Sequence, residues 1–166
     1  MNYKDVRIAN ASDLKKGEMR SFDVGDKQIL LARVEDEFFA TAAHCTHYGA
    51  PLEKGILNGE KVVCPWHNAC FNIKSGNLEQ PPALDALPRF SVRVEGLDLI
   101  VQLPEEIPAQ RTPDMVKSNL QEDNRTFAIL GAGAAGSAAA ESLRQAGFVG
   151  KINWVEKMNS QQLVAG

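Results

Sequence analysis

Two pairs of cysteine and histidine, separated by sixteen residues, are the part of this sequence best suited to bind a metal. The first pair is Cys45 and His47, and the second is Cys64 and His67. Thiolate sulfur and imidazole nitrogen are side-chain ligands of zinc and of iron-sulfur clusters. Because each pair contains one cysteine and one histidine, each segment supplies one ligand of each kind. The spacing C-x-H-x16-C-x2-H therefore predicts a four-ligand metal centre built from two loops.

Two kinds of metal centre use two cysteines and two histidines. A Rieske [2Fe-2S] cluster has two cysteines on one iron and two histidines on the other. Structural zinc accepts the same ligands, but zinc fingers usually place both cysteines before both histidines. The order Cys, His, Cys, His favours the Rieske cluster. The alternatives are zinc and four unrelated buried residues, since a free cysteine is often a small core residue.

Length and charge restrict the organisation and the partners of the chain. A chain of 166 residues fits one well-packed domain and a smaller element. The 21 acidic and 18 basic residues are scattered, so we expect no nucleic-acid partner and no membrane partner. The N-terminus has no apolar signal segment, and two of the three cysteines are assigned to the metal centre, which favours a cytoplasmic location.

Residues 1–104 are predicted to form an all-β domain of the sandwich type. Short apolar segments alternate with turn residues about every eight to twelve positions. The strongest turn signal is Asn58-Gly59, which predicts a hairpin whose return strand ends at Cys64. Residues 38–43 form a further predicted strand that leads into the first metal-binding segment. Both metal-binding loops therefore follow strands, which can hold the ligands in a fixed geometry.

The composition changes after residue 104. Residues 105–125 are rich in proline and charge, which predicts a linker, with a short helix at 115–120 as the alternative. Residues 126–166 show a strand, a glycine motif, a helix and a second strand. This order predicts the N-terminal βαβ fragment of a Rossmann-like FAD-binding domain.

Each glycine of the motif has an expected role in binding a dinucleotide. Gly131 permits a tight turn, Gly133 permits close approach of the backbone to a pyrophosphate, and Gly136 permits close packing of helix and strand. The helix N-terminus attracts phosphate. Glu156 lies twenty residues beyond Gly136 and is expected to hold a ribose hydroxyl. The alternative is an alanine-rich helix whose glycines serve packing alone.

The cluster segments and the glycine motif together resemble the apoptosis-inducing-factor-like family. The segments are CTHYGAPL at 45–52, CPWHNACFN at 64–72 and GAGAAG at 131–136. In that family an N-terminal Rieske domain precedes an FAD-dependent pyridine-nucleotide oxidoreductase. The resemblance implies that NAD(P)H reduces FAD, and that electrons pass between the cluster and a flavin domain in the same chain or another redox partner. Asn68 replaces the glycine usual in this loop, a change that asparagine tolerates because it reaches the left-handed conformation readily.

The sequence therefore predicts electron transfer by the first domain, with the two cysteines on one iron and the two histidines on the other. The neighbouring His44 and Cys70 are expected to be a solvated loop residue and a buried strand residue. Residues 1–104 show no evident general base, nucleophile or substrate pocket, so we expect this domain to be an electron carrier and the chain not to be a complete enzyme. The last ten residues do not resemble the family's continuation, which predicts a truncated chain that does not retain FAD. Part of a Rieske oxygenase and a zinc-stabilised interaction module are the alternative functions.

Overall fold

The computed structural model describes residues 2–155, which divide after Pro113 into two compact units. The first unit contains strands β1 to β10: Tyr3–Asn10, Met19–Val24, Lys27–Val34, Glu37–Ala42, Ile56–Asn58, Lys61–Val63, Cys70–Asn72, Leu78–Gln80, Arg89–Glu95 and Asp98–Pro104. It also has two short 3-10 helices, Ala11–Asp13 and Leu52–Lys54. The second unit contains β11 (Thr126–Leu130), α1 (Ala134–Gln145) and β12 (Lys151–Val155). No helix among the described residues is long and apolar enough to cross a membrane.

Six strands of the first unit form an antiparallel sheet in the order β1-β10-β9-β4-β3-β2, called here the base sheet. Each half of the sheet has long ladders, but the ladder between β4 and β9 is short, with Ala40 paired to Phe90 and Thr41 to Arg89. This narrow join between β4 and β9 allows the sheet to curl. The base core fills the curl with fully buried apolar residues that include Ile29, Leu31, Leu99, Val101 and Leu103.

Residues 43–88, between β4 and β9, form a second layer that we call the metal-loop subdomain. Its four-stranded sheet has the order β5-β6-β7-β8, and the predicted hairpin at Asn58-Gly59 joins β5 to β6. Strand β3 separates this layer from the base core, because Leu30 and Ala32 face the subdomain while the alternate residues face the base core. Both faces of β3 are therefore buried, which explains its uninterrupted apolar run.

Residues 105–113, called here the strap, belong to the first unit although the sequence predicted a linker from 105 to 125. The N–H of Glu105 donates to the carbonyl of Asn2 at 3.2 Å, and Ile107 packs against the base core. Arg111 then forms a two-way backbone bridge with Ala86. Proline and charge predicted an exposed segment here, but these backbone partners are distant in sequence and leave no local signal.

The second unit contains two parallel strands connected through a helix. Strand β11 pairs with β12 from Thr126 and Lys151 to Leu130 and Val155, and α1 lies between them in sequence. Residues 114–125 form no helix, and their backbone bonds to the turn between α1 and β12 through the N–H of Asn119 and the carbonyl of Val149 at 2.7 Å. The remainder of the predicted linker is thus tied to the second unit. Glu156 lies outside the described residues.

Candidate metal centre

The first metal loop, residues 45–50, is a turn closed by two backbone hydrogen bonds. The N–H of Cys45 donates to the carbonyl of Ala50 at 2.9 Å, and the N–H of Gly49 donates to the carbonyl of Cys45 at 2.8 Å. Gly49 has a φ of 71°, which is unfavourable for most residues with a side chain. The loop follows β4 and is held on its far side by the bridge between His44 and Pro51. A cysteine at its first position is therefore rigidly placed.

The second metal loop, residues 64–69, repeats the same turn. The N–H of Cys64 donates to the carbonyl of Ala69 at 2.8 Å, and the N–H of Asn68 donates to the carbonyl of Cys64 at 3.2 Å. Asn68 has a φ of 61° and occupies the position that Gly49 holds in the first loop. This confirms that asparagine adopts the left-handed conformation here in place of glycine. The two loops thus present their cysteines in equivalent backbone settings.

The structure brings the four predicted ligands together, with the cysteines inside and the histidines outside. The cysteines Cys45 and Cys64 are only 3% and 2% exposed, and Cys64 is near enough to raise the pKa of the Cys45 thiol. The imidazole centroids of His47 and His67 are 5.1 Å apart. His47 is half-buried and His67 is exposed. The site therefore has a thiol side within the protein and an imidazole side at its surface.

The four side chains form two pairs and not one tetrahedron. Across residues 2–155, no three histidine, cysteine or acidic side chains gather closely enough to hold one metal ion. Structural zinc needs four donors around a single point. A two-iron cluster needs two protein donors on each iron, which matches a thiol pair beside an imidazole pair. The arrangement fits a [2Fe-2S] cluster better than it fits zinc.

One polar atom at the site lacks the partner that burial normally requires. Among the described residues, Nδ1 of His47 is buried and has no hydrogen bond. Buried polar nitrogens are almost always hydrogen-bonded, so an exception needs an explanation. An iron bound to Nδ1 would supply one. The donor set therefore fits the cluster on an observation separate from the sequence motif.

The cysteine side of the site favours thiolates only when a cation is bound. Burial raises the pKa of the Cys45 thiol, while the backbone N–H of His47 donates to its sulfur and opposes that rise. The neighbouring thiol of Cys64 raises the pKa further. A bound iron would reverse this balance, because a metal ion favours the deprotonated form of a coordinating thiol. The N–H donor then remains available to stabilise the charge on sulfur.

The residues around the ligands separate into an apolar interior and an aromatic exterior. Ala50, Ala69 and Phe71 are buried with the cysteines in one apolar core. On the outside, the Tyr48 ring lies 4.3 Å from the His47 ring and remains 70% exposed. Trp66 is 56% exposed. Water is thus excluded from the thiol side, and aromatic surface surrounds the imidazole side.

Two neighbours of the motif are as expected, and one contact was missed. His44 is exposed, and Cys70 is buried in β7, where burial raises the pKa of its thiol. The missed contact is made by Thr46, whose Oγ1 donates to the carbonyl of Asp85 at 2.7 Å. Nothing local in the sequence indicated that the segment around residue 85 reaches the first metal loop.

Comparison with known proteins agrees with this geometry. Residues 4–91 match the family model for the Rieske [2Fe-2S] domain. The chain belongs to the Rieske family. Its first unit is therefore called the Rieske unit below. The predicted mainly β Rieske-type fold is confirmed, and the family implies a [2Fe-2S] cluster.

The relatives are of two sizes. Apoptosis-inducing factor 3 of Homo sapiens is 40% identical over 154 residues, which is 89% of this chain but 26% of that protein. The chain thus spans about a quarter of the length of this relative. The ferredoxin component of biphenyl 2,3-dioxygenase from Rhodococcus jostii is 38% identical over 98 residues, which is 59% of this chain and 92% of that protein.

The similar solved structures also match only part of this chain. The ferredoxin of carbazole 1,9a-dioxygenase from Nocardioides aromaticivorans has a TM-score of 0.56 and 28% identity, and the match covers 58% of this chain and 95% of the ferredoxin. A complex of oxygenase and ferredoxin in carbazole 1,9a-dioxygenase gives a TM-score of 0.56 and 34% identity over 58% of this chain. The matches of ferredoxin size therefore leave the second unit unexplained.

Proposed function

We propose that this chain carries electrons through a [2Fe-2S] cluster as the ferredoxin-like part of a flavin-dependent oxidoreductase. Cys45 and Cys64 would hold one iron, and His47 and His67 the other. The observation that carries the proposal is the pairing of two buried thiols with two imidazoles on loops of matched backbone geometry. The bound cluster would supply one-electron redox chemistry. The Rieske unit supplies the scaffold that holds it.

The residues of the site would control how electrons enter and leave. The apolar core around Cys45 and Cys64 keeps water from the sulfur ligands. His67 is exposed, so the imidazole side is where a redox partner comes nearest to the cluster. Tyr48 and Trp66 would offer that partner flat apolar surface, since aromatic residues are enriched at interfaces. This division supports electron exchange through the histidines.

We infer that the partner is a flavin domain whose Rossmann-like beginning is the second unit. Gly131 follows β11 with a φ of 100°, and a Cβ on Gly136 would overlap its carbonyl oxygen. A Cβ on Gly133 would meet no atom within 4 Å, so the backbone there is open to a ligand. Helix α1 begins at Ala134, so its N-terminus lies beside the open backbone of Gly133, and helix N-termini attract phosphate. These features support FAD pyrophosphate binding, and Glu156 keeps its proposed role at the ribose.

A second candidate is a ferredoxin that serves a ring-hydroxylating dioxygenase. It is favoured by the 38% identity to a dioxygenase ferredoxin component, 92% of which is matched. The match nevertheless covers only 59% of this chain, against 89% for apoptosis-inducing factor 3. The second unit therefore favours the flavin oxidoreductase. Under that proposal, NAD(P)H would reduce FAD in the whole protein and the Rieske unit would exchange electrons with the flavin.

Anaerobic reconstitution with iron and sulfide tests the cluster. The expected product is coloured, contains about two irons and two sulfides per chain, and becomes paramagnetic on one-electron reduction. His47→Ala and Cys64→Ala should stay colourless. His44→Ala and Cys70→Ala are matched controls outside the ligand set and should colour normally. A colourless wild-type protein that binds one zinc ion would overturn the proposal in favour of a zinc-stabilised module.

A further inference from the structure

The strap connects to the metal-loop subdomain at a single well-defined point. The N–H of Arg111 donates to the carbonyl of Ala86 at 2.9 Å, and the N–H of Ala86 donates to the carbonyl of Arg111 at 2.8 Å. This is an isolated antiparallel bridge between segments distant in sequence. Since backbone bridges depend little on side-chain identity, the bridge alone does not require arginine at position 111.

The Arg111 side chain adds two contacts, both made by one terminal nitrogen. Its Nη2 donates to the carbonyl of Ser75 at 3.1 Å and also to Oδ1 of Asn77. The turn that contains both acceptors contacts the bridge segment directly, because the N–H of Leu87 donates to the carbonyl of Gly76 at 2.8 Å. A Cβ on Gly76 would overlap that Leu87 carbonyl oxygen. Arg111 thus clamps two touching segments at once.

The clamped segment reaches the first metal loop through the residue that precedes Ala86. The carbonyl of Asp85, next to Ala86, accepts the hydroxyl hydrogen of Thr46 at 2.7 Å. Thr46 lies between the two ligands of the first metal loop. Within residues 2–155, no side chain of the second metal loop makes a comparable bond, so this anchoring is specific to the first loop.

We propose that Arg111 is a positioning residue for the first metal loop. It fixes the segment around Ala86, which holds the Asp85 carbonyl where the Thr46 hydroxyl can reach it. Loss of the clamp lets that carbonyl move, and the loop that carries Cys45 and His47 loses its side-chain anchor. Only the expected change in the spectrum of the cluster rests on the proposed function. The expected change in the mobility of the first metal loop concerns the protein alone.

Hydrogen exchange of the full 166-residue chain provides the first test. In Arg111→Ala, the backbone amides of residues 45–50 should exchange about tenfold faster, as expected when a hydrogen-bonded anchor is lost. Residues 64–69 should change little. Arg93→Ala is the matched control, because Arg93 is also paired, with Asp5 and Glu95, but on an exposed strand of the base sheet. Equal exchange at 45–50 in Arg111→Ala and Arg93→Ala would overturn the proposal.

A double-mutant cycle tests whether Arg111 acts through Thr46. If it does, Thr46→Val reproduces the loop exchange of Arg111→Ala, and the double variant exchanges no faster than either single variant. Independent, additive effects would refute the pathway. Arg111→Lys serves if the alanine variant fails to fold. It keeps the charge, but its nitrogen lies one bond nearer to the backbone than Nη2, so loop exchange should fall between wild type and a full loss of the two bonds.

The reduced cluster provides a second, separate readout. In Arg111→Ala and Thr46→Val, the EPR g-values should shift in the same direction, while Arg93→Ala keeps the wild-type spectrum. A wild-type chain without a cluster would end the proposed function but leave the exchange result to decide on Arg111. Faster exchange with unchanged g-values in both variants would limit Arg111 to a structural role.

Discussion

The backbone of Asn68 permits a quantitative test of the second metal loop. Asn68 is exposed with a φ of 61°, so its substitution changes backbone preference and removes no buried contact. The left-handed conformation costs a residue with an ordinary side chain about 1–2 kcal/mol, and it costs asparagine less. In Asn68→Val the branched side chain adds to that cost, whereas Asn68→Gly adopts the conformation without steric cost.

The expected result is a ranked series in the rate at which the cluster is lost. If iron leaves through an opened second loop, about 1–2 kcal/mol of strain makes opening roughly 5–30 times more frequent. Loss of visible absorbance in the presence of a chelator should therefore be slow for Asn68→Gly and wild type, faster for Asn68→Ala and fastest for Asn68→Val. Asn124→Ala, another exposed asparagine without positive φ, is the control.

One outcome would show this reasoning to be wrong. If Asn68→Val loses its colour as slowly as Asn124→Ala, strain in the second loop does not control iron release. A uniform fall in the unfolding temperature of all variants, with no ranking in bleaching rate, would lead to the same conclusion.

Three further predictions follow from the site and from the second unit. Ala69 and Phe71 are buried beside the cluster site and offer it no hydroxyl donor. The reduction potential should therefore lie near the low end of the Rieske range, on the order of −150 mV. A potential above about +100 mV in voltammetry would contradict this. Limited trypsin digestion should cut after Lys117, which is exposed, before it cuts after Arg111, whose backbone is bridged to Ala86. Mass spectrometry of the first coloured fragment identifies the cleavage site. Acid extraction of the purified 166-residue polypeptide should release no stoichiometric FAD, because two strands with open edges give a flavin little scaffold; about one FAD per chain would refute this.

The sequence was most informative where a local rule fixes the backbone. Asn58-Gly59 gave the correct hairpin because few turns suit two short strands. Asn68 was correctly placed in the left-handed region because asparagine is one of the few residue types that adopt it readily. Ligand type and spacing predicted four ligands, and the structure places the two histidine rings 5.1 Å apart and buries both cysteines. That these four side chains bind the cluster stays a prediction.

The sequence was least informative where a segment is held by partners far along the chain. Proline and charge at 105–113 are compatible with a linker, and the bridge from Arg111 to Ala86 depends on how the subdomain folds. The same holds for Thr46 and the Asp85 carbonyl, which are distant in sequence. Backbone carbonyls look alike in a sequence, so an acceptor of this kind has no recognisable signature.

The narrow join of the base sheet also determines how the metal-loop subdomain can assemble. The chain leaves β4 and returns in β9 at neighbouring positions, since Thr41 pairs with Arg89. Paired residues on antiparallel strands lie about 5 Å apart, so a formed base sheet already holds together both ends of residues 43–88. The entropy of closing that long excursion is thus lost through strand pairing and not through metal binding. An apoprotein with an intact base sheet would accordingly be a ready recipient for a preformed cluster.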